Sequence, residues 1–412
     1  MKKVAVIGSG ISGLSLAHEL GEAGVNSILI ETLPLPGGNT ARFSCKATDS
    51  CQRCGACLVQ DYVSKICRND RVELLLNCEI LDSRQTAKGY ELLLHKNPAF
   101  IDHLSCSKCG ICKKVCPAPK AILVDPFTGS FFINYSECLL SQNMQCSACE
   151  QVCPEQAINL ELQPIDENLE VDAVALATGF EAFDPAQKPR FGYGRVPGVL
   201  SALDLEEMFR NGRFENLQEN DRPSSIAFIQ CVGSRDSKIG RNYCSRVCCG
   251  YAMRSARLLK FKFPEIKVSM FYMDIQTFDR DFENRIDKAS QEVNLIRAIP
   301  SEIRSGPSGK PEITYYGVND QVIQEEFDLV SLSVGMGPAT TSLAGILGTI
   351  EPRADFYGSN SFNPNNPAFK GAFLTGCALG PKTIQESIDD SVHVASQIEF
   401  YLNKQQSGVE VE

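Results

Sequence analysis

The chain has 412 residues, of which 43% are apolar, so it is long enough for two or three domains with buried cores. Its formal net charge of −10 argues against a nucleic-acid-binding surface. No apolar run approaches the roughly 20 residues of a membrane-spanning helix, and no signal-peptide pattern precedes the first strand pattern. We therefore expect a cytoplasmic protein.

Nineteen cysteines are the most informative part of the composition. The cytosol keeps thiols reduced, so disulfides are not expected there. Gaps of two and three residues between many of the cysteines indicate metal ligation instead. Cys/His zinc or His-rich iron sites are not indicated, because none of the four histidines lies at ligand spacing from another: His18, His95, His103 and His393.

The first predicted unit is a strand, a glycine turn and a helix. Lys3–Ile7 is apolar enough for a buried strand, and the turn Gly8-x-Gly10-x-x-Gly13 leads into a helical pattern. A second strand pattern ends at Glu31. The glycines permit a tight turn and let a pyrophosphate approach a helix N-terminus, while Glu31 would accept hydrogen bonds from a ribose. The predicted dinucleotide site comprises Gly8, Gly10, Ile11, Ser12, Gly13 and Glu31.

Later features favour FAD over NAD as the dinucleotide. Gly37-Gly38 follows the second strand, Gly179 closes a later strand, and Gly376 precedes the last helix pattern. These features resemble the flavoproteins with two dinucleotide-binding domains, the thioredoxin-reductase-like disulfide reductases. In that group a late Gly-Asp pair contacts the flavin ribityl chain. Here Cys377 follows Gly376, so the expected Asp is absent from this position.

Residues 97–162 are rich in cysteine and proline, which predicts a small domain inserted between strands. Two cysteine runs lie in it, Cys-x2-Cys-x2-Cys-x3-Cys-Pro from Cys106 and Cys-x7-Cys-x2-Cys-x3-Cys-Pro from Cys138. In bacterial ferredoxins the fourth cysteine of each run ligates the other cluster. One predicted [4Fe–4S] ligand set is therefore Cys106, Cys109, Cys112 and Cys153, and the other is Cys138, Cys146, Cys149 and Cys116. Zinc is the alternative, although zinc ribbons use separated CxxC pairs.

A second β–helix–β pattern covers residues 226–273, where a disulfide reductase carries its NADPH-binding glycine turn. This chain instead reads C-V-G-S-R-D from Cys231 and Y-C-S-R-V-C-C from Tyr243. The vicinal cysteines that end the second motif cannot easily bridge each other and favour a metal. Four buried structural cysteines are the alternative.

Together the two motifs resemble the signature of the heterodisulfide reductase flavin subunit family. Segments 273–278, 333–336 and 376–382 resemble the same family, so the resemblance covers most of the chain. It implies a [4Fe–4S] cluster close to the flavin, held by Cys231, Cys244, Cys248 and Cys249. It also implies flavin contacts from Gly335, Gly376 and Thr383, and roles in the redox step for Arg254 and Cys377.

Arg254 stands where a lysine is expected in relatives that bifurcate electrons. Arginine is cationic but cannot donate a proton, so the sequence does not decide whether this chain bifurcates electrons. Methanogen-type relatives carry further N- and C-terminal domains, so we expect this chain to exchange electrons through fewer clusters or through a partner.

A fourth cluster is predicted near the flavin ribose site. Cys51-x2-Cys54-x2-Cys57 has cluster spacing, and the fourth ligand is expected to be Cys45 rather than Cys67. Zinc or a redox-active cysteine pair is the alternative. Cys78 lies in an apolar run and is expected in the core.

The resemblance thus implies an α/β flavoprotein with two dinucleotide-binding domains and an inserted bacterial-type 2[4Fe–4S] ferredoxin domain. The predicted FAD-binding domain is discontinuous and comprises residues 1–96, 163–224 and 326–412. The inserted ferredoxin domain is predicted at residues 97–162. The second nucleotide-binding-like domain, which carries a cluster, is predicted at residues 225–325.

We expect an FAD-dependent oxidoreductase subunit that passes electrons between FAD and [4Fe–4S] clusters. The resemblance implies partners like the small ferredoxin-like and the Cys-rich catalytic subunits of heterodisulfide reductase, or a hydrogenase- or dehydrogenase-linked iron–sulfur protein. It also implies a homodimer within a larger complex. A self-contained NAD(P)H:acceptor oxidoreductase and a scaffold or redox sensor with structural clusters are the alternatives. The sequence leaves the terminal electron donor and acceptor open.

Overall fold

The computed structural model of the chain describes residues 2–125, 128–218, 222–276, 287, 290–339, 356 and 370–407. The last two residues of the 273–278 segment lie outside this range. The described helices are α1 (Ile11–Glu22), α2 (Leu58–Ile66), α3 (Ile111–Val115), α4 (Ala148–Gln151), α5 (Ala202–Arg210), α6 (Cys248–Lys262) and α7 (Ile384–Ser407). None of these described helices is both long enough and apolar enough to cross a membrane.

The described strands form two five-stranded sheets and four smaller ones. In chain order they are β1 (Lys3–Ile7), β2 (Asn26–Ile30), β3 (Val72–Leu75), β4 (Cys78–Gln85), β5 (Tyr90–Lys96), β6 (Ile122–Val124), β7 (Phe131–Ile133), β8 (Ile165–Val171), β9 (Ala173–Leu176), β10 (Phe180–Ala182), β11 (Val199–Ser201), β12 (Ser225–Val232), β13 (Lys267–Phe271), β14 (Asn294–Ile296), β15 (Glu302–Ser305), β16 (Pro311–Tyr316), β17 (Val322–Glu326), β18 (Leu329–Val334), β19 (Met336–Pro338) and β20 (Ala372–Leu374).

The first sheet is parallel, with strand order β20-β9-β1-β2-β3. Helices α1 and α7 cover one face, where Leu14, Leu20 and Ile398 are fully buried. The antiparallel sheet β4-β5-β8 covers the other face and buries Leu92 and Leu94 against it. Both faces are covered, which explains the continuous apolar runs of the central strands. The carboxyl ends of β1, β2 and β9 meet at one edge, beside the N-terminus of α1.

The second sheet repeats this layering, with strand order β11-β18-β12-β13-β14, all parallel. Helices α5 and α6 pack on one face, around Phe228 and Leu259. The antiparallel sheet β15-β16-β17 packs on the other, where the rings of Phe271 and Tyr315 meet edge to face at 4.9 Å. The two units therefore share one architecture, joined by the short antiparallel pair β10-β19.

The domain boundaries expected from sequence differ from this arrangement. Strands β11 and β18, which were expected in the FAD-binding domain, lie in the second sheet beside β12. The reason is that β9 and β18 are similar short apolar runs, and periodicity does not say which sheet a buried strand joins. The sequence also did not predict α5 or the β15-β16-β17 sheet. Cys78 is 1% exposed on β4, as predicted.

The cysteine-rich segment leaves and rejoins the molecule at a single place. Lys96 at the end of β5 pairs with Ile165 at the start of β8, so the two ends of the intervening chain emerge side by side. The segment carries α3, α4 and the hairpin β6-β7 around its own small core, which includes Phe100, Ile122 and Ile133. Its extent as a separate domain stays a prediction.

Candidate functional site

The glycine turn after β1 is shaped by contacts that no larger residue could make. Gly8 has φ +101°, and a Cβ there would lie 2.6 Å from the Ala177 carbonyl oxygen. A Cβ on Gly13 would lie 1.9 Å from the Gly8 carbonyl oxygen, so α1 packs directly on the turn. A Cβ on Gly10 would meet nothing within 4 Å, which leaves the approach to the α1 N-terminus open. A pyrophosphate fits such a position.

Glu31 is held at the end of β2 in one orientation. Its Oε2 accepts hydrogen bonds of 2.8 Å from both the backbone N–H and the hydroxyl of Ser9, and its Oε1 accepts one of 3.0 Å from the Leu33 N–H. The side chain is 8% exposed. The carboxylate is therefore fixed beside the glycine turn, where the ribose of a bound dinucleotide would lie.

The other early glycines lie against the same turn. The N–H of Gly37 donates a 2.8 Å hydrogen bond to the Ser9 carbonyl, and a Cβ on Gly38 would lie 3.0 Å from the Cα of Gly10. Gly179 follows β9, has φ +74° and faces open space. The structure therefore brings Gly37 and Gly38 onto the Gly8–Gly13 turn.

A cleft extends from this turn to the second sheet. Its wall includes the predicted residues Ile11, Gly335, Thr383, Arg254 and Cys377. Most of its lining is apolar, which is typical of cofactor sites. The cleft thus brings residues from four distant parts of the chain to one place.

Gly376, next to the cleft residue Cys377, lies against α1. Its φ is +65°, and a Cβ would lie 1.9 Å from the Ser12 hydroxyl oxygen. Its N–H donates a 2.6 Å hydrogen bond to Asp390 Oδ2, which also lies 2.7 Å from the Lys382 ammonium nitrogen. A carboxylate from α7 therefore contacts the turn where the sequence pattern lacked one.

Cys377 is buried in the same wall. It packs with Met336 and Phe356, and its Sγ lies 3.8 Å from the Ser387 hydroxyl. Burial raises the pKa of the Cys377 thiol. The side chain is therefore a neutral thiol at pH 7, and its predicted redox role stays a prediction.

Arg254 is tied to the segment that carries the N-terminal cysteine run. Its Nε donates a 3.1 Å hydrogen bond to the Gln52 carbonyl, while Arg257 donates one of 2.7 Å to the Gln52 side chain. A Cβ on Gly250 would lie 3.2 Å from an Arg254 guanidinium nitrogen, so the guanidinium lies over this glycine. Arg254 thus joins α6 to the cysteine segment at the cleft, and its predicted redox role is untested.

A buried ion pair that sequence reasoning missed lies in the cleft wall. The Lys46 ammonium nitrogen is 2.5 Å from Glu206 Oε2, and their side chains are 4% and 8% exposed. The same oxygen accepts 3.0 Å hydrogen bonds from the N–H and hydroxyl of Ser44. No local pattern identifies this pair, because its members lie on separate elements that meet only in the folded chain.

Each predicted ligand set of the insert lines one small cavity. The first cavity is bordered by Cys106, Cys109, Cys112 and Cys153. The second is bordered by Cys116, Cys138, Cys146 and Cys149. The two crossing cysteines, Cys153 and Cys116, therefore lie with the partner run.

The thiols of each set are close enough to affect one another. Burial raises the pKa of the Cys112 thiol, and Cys106, Cys109 and Cys153 raise it further. In the other set burial raises the pKa of Cys149 to about 11, with contributions from two further members of the set. Within the described residues, no three His, Cys, Asp or Glu side chains are close enough together to hold one metal ion directly.

The third set lies between the end of β12 and the first turn of α6. Burial raises the pKa of Cys231 to about 11, and the neighbouring Cys249 and Cys244 raise it further. The pKa of the buried Cys248 thiol is raised by its burial and by the same three cysteines, so the four thiols lie near one another. Helix α6 begins at Cys248, which places the vicinal cysteines in its first turn. Cys231 has φ +60°, an uncommon conformation for a cysteine.

The N-terminal cysteine run is arranged differently. Cys51 and Cys57 are exposed, and Cys54 borders the large cleft. Cys57 and Cys67 flank the two ends of α2, so a helical rise of about 1.5 Å per residue separates them by about 15 Å. One cluster cannot span that distance, and Cys67 is therefore not brought together with this run. Cys45 is exposed and precedes the buried Lys46.

The fold and the glycine-lined dinucleotide site define a class. A family model described as an NAD(P)-binding Rossmann-like domain matches residues 6–59. Thioredoxin reductase from T. acidophilum shares the fold, with a TM-score of 0.55 and 12% identity over 98% of this chain and 99% of that one. Thioredoxin reductase from Lactococcus lactis gives a TM-score of 0.54 and 14% identity over 98% and 100%. The chain has the α/β fold of the disulfide reductases.

Curated relatives narrow this class. HdrA of the H(2):CoB-CoM heterodisulfide,ferredoxin reductase of Methanothermobacter thermautotrophicus is 30% identical over 96% of this chain and 63% of its own length. HdrA of Methanocaldococcus jannaschii, the iron-sulfur subunit of its CoB–CoM heterodisulfide reductase, is 30% identical over 100% of this chain and 66% of its own length. Over nearly its whole length the chain is similar to these HdrA subunits of heterodisulfide reductases, and it spans a little under two thirds of the length of these relatives.

Proposed function

We propose that the chain is the FAD-carrying iron–sulfur subunit of a heterodisulfide-reductase-like redox complex, in which electrons pass between the flavin and [4Fe–4S] clusters and on to partner subunits. The observation that carries this proposal is the grouping of twelve cysteines into three sets of four, two of them around separate cavities and one at the start of α6.

The glycine turn and the cleft support FAD. Gly10 leaves the N-terminus of α1 open, and Glu31 is fixed where the adenosine ribose of FAD would lie. The cleft continues from there toward the second sheet. The isoalloxazine would lie in the apolar part of the cleft, near Gly335 and Thr383. An FAD exchanges two electrons and a [4Fe–4S] cluster exchanges one, so together they connect paired and single electron transfer.

The chain's own residues would hold charge and exclude water in this site. Arg254 keeps its positive charge at any working pH and so favours a negatively charged ligand. Lys382 is held at the cleft by Asp390 and adds a second cation. Met336 and Phe180 cover the cleft with apolar surface. These roles need no proton from Arg254, and bifurcation is not part of the proposal.

A fourth cluster at Cys51, Cys54 and Cys57 is included, with Cys45 as its fourth ligand. The hydrogen bonds from Arg254 and Arg257 to Gln52 hold this segment at the cleft, next to the proposed flavin position. The distance along α2 argues against Cys67. Partner subunits are proposed because the relatives are named as subunits of larger reductases.

The self-contained NAD(P)H:acceptor oxidoreductase is less well supported. In the second sheet, the segment between β12 and α6 is where a nicotinamide nucleotide would need an open glycine turn. That segment carries Cys231, Cys244 and a buried Ser245 instead, and Gly233 packs against the Phe183 ring. We therefore favour the electron-transfer subunit.

The test measures iron, acid-labile sulfide and flavin in anaerobically purified full-length protein, with absorption spectra before and after NADH. We expect one FAD and about 16 iron atoms per chain, four for each cluster, and no bleaching by NADH. C112A is the variant and C78A the matched control, since both cysteines are buried and only Cys112 borders a four-cysteine cavity.

We expect C112A to lose about four iron atoms and C78A to keep the full content. A wild-type protein with one zinc per cysteine set and no sulfide would contradict the proposal. Rapid bleaching by NADH would favour the NAD(P)H-dependent alternative.

A further inference from the structure

The chain turns sharply where the third cysteine set begins, at the end of β12. Cys231 and Arg235 have φ +60° and +53°, and Gly233 between them has φ +82°. The left-handed region is uncommon for residues other than glycine, and such strain is concentrated at functional sites. The Arg235 backbone N–H donates a 2.9 Å hydrogen bond to the Tyr243 carbonyl, next to Cys244. The turn therefore brings one arginine against two of the four cysteines.

The Arg235 guanidinium lies among the thiols of this set. It is close enough to Cys231 and Cys244 to stabilise negative charge on either sulfur, and its charge acts on Cys249 as well. Arginine keeps its charge at any working pH. A permanent positive charge therefore faces three of the four predicted ligand thiols.

Asp274, three residues after the end of β13, fixes the direction of this guanidinium. Arg235 Nη1 and Nη2 donate hydrogen bonds to Asp274 Oδ1 and Oδ2, the second of 3.0 Å, and the Gln276 amide donates one of 2.9 Å to Oδ1. A two-point contact of this kind restricts how a guanidinium can turn. The carboxylate also acts on Cys249. Asp274 thus holds Arg235 in place and offsets part of its charge at Cys249.

Further charged side chains near this set have partners of their own. Four of them form two ion pairs, Arg246 with Glu386 and Asp236 with Lys188. Arg241 lies over the Phe183 ring at 5.1 Å, and the exposed Arg297 stabilises the Asp274 carboxylate. The two ion pairs add little net charge. Arg235, by contrast, acts on the thiols directly.

We propose that Arg235 stabilises the reduced state of the iron–sulfur cluster held by the third set, and that Asp274 is the positioning residue that directs its guanidinium. The inference rests on the proposed function. One electron passes between the flavin and this cluster, in either direction, and no bond forms or breaks, so reduction adds one negative charge at the cluster. Charges and hydrogen bonds around the sulfur atoms set the reduction potential of such a cluster. Arg235 therefore raises that potential.

The experiment is a titration of anaerobically purified full-length protein with dithionite as the reductant, followed by electron paramagnetic resonance. C231A, which we expect to lose about four iron atoms, identifies the signal of the third set by its absence. R235M, R235K and D274N are compared with the wild type. R84M is the matched control, because Arg84 also pairs with a carboxylate, that of Glu91, but lies on β4 outside the four-cysteine sets. Iron and sulfide are measured in every sample.

We expect R235M to lower the equilibrium constant for reduction of the third-set cluster at least about threefold, because a positive charge is lost. The side chains of Arg235 and Asp274 are 28% and 42% exposed, so water and salt screen part of the effect. D274N should raise the constant, since asparagine still accepts a hydrogen bond from Arg235 while the negative charge is gone. R235K keeps the charge and should change the constant less than R235M, and R84M should leave it unchanged.

Unshifted potentials in R235M and D274N, at full iron content, would overturn this inference and leave the proposed function standing. Loss of iron in R235M together with an unshifted D274N would also overturn it, because Arg235 would then only maintain the structure of the site. A wild-type protein that lacks the signal absent from C231A would overturn the proposed function, and this inference with it.

Discussion

Asp390 Oδ2 accepts a 2.6 Å hydrogen bond from the backbone N–H of Gly376, fourteen residues earlier in the chain. In the disulfide reductase pattern, an aspartate directly after this glycine is expected. Here α7 brings a carboxylate back to the same turn, and Lys382 lies 2.7 Å from the same oxygen. The turn is therefore held by a residue that is distant in sequence and adjacent in space.

Removal of the Asp390 charge should loosen this turn. We expect D390N to lower flavin content on purification and to lower the free energy of unfolding by about 2 kcal/mol, because a charge-assisted hydrogen bond is lost. Urea unfolding and flavin content measure the two effects. D389N is the matched control, since Asp389 is the neighbouring aspartate on α7 and bonds only to exposed Gln385. Equal behaviour of the two variants would contradict the role of Asp390.

Gly376 itself should tolerate no side chain. In G376A the added Cβ would lie 1.9 Å from the Ser12 hydroxyl oxygen, in a backbone conformation with φ +65°. We expect weak or absent flavin binding and a loss of stability of about 3 kcal/mol or more. G240A is the control, because Gly240 has φ +72° and open space around it, so only the backbone strain of about 1 kcal/mol applies. A G376A protein with full flavin would show that the contact is unimportant.

The N-terminal cysteine run should distinguish its two candidate fourth ligands. We expect C45S to lose about four iron atoms per chain and C67S to lose none, since Cys57 and Cys67 flank opposite ends of α2. Iron and sulfide analysis of the anaerobic proteins measures this directly. The opposite result would require α2 to rearrange on cluster binding.

Removal of one partner of the buried Lys46–Glu206 ion pair should lower the free energy of unfolding strongly. K46M leaves the Glu206 carboxylate buried without its cation, and we expect a loss of about 3–5 kcal/mol in the free energy of unfolding. The double variant K46M/E206M should recover part of that loss. D61N serves as the control, because the Lys65–Asp61 pair is 42% and 54% exposed and such pairs contribute less than about 1 kcal/mol. A K46M protein as stable as D61N would contradict this account.

Local spacing predicted much of the candidate site. The glycine turn and the run from Cys106 are short segments whose residues must lie close together whatever the rest of the chain does. The structure accordingly places Gly37 and Gly38 on the Gly8–Gly13 turn, and it places Cys153 on the cavity of the first run. The iron, sulfide and flavin measurements described above test whether these residues bind FAD and iron.

Long-range partners could not be predicted in this way. Lys46 and Glu206 are 160 residues apart, and neither lies in a motif. The apolar run of β18 fits either large sheet by composition, and only its pairing with β12 assigns it to the second. Cys67, like Cys45, is a cysteine just outside the N-terminal run, but a helix carries it away from that run.

The sequence by itself determined the dinucleotide turn, the two ferredoxin-like cysteine runs and the family resemblance, because chain connectivity confines residues only a few positions apart. The tertiary structure alone decided that Asp390 binds Gly376 and that Lys46 pairs with Glu206. Those relationships depend on how apolar faces of distant elements pack together, and packing is a property of the whole folded chain.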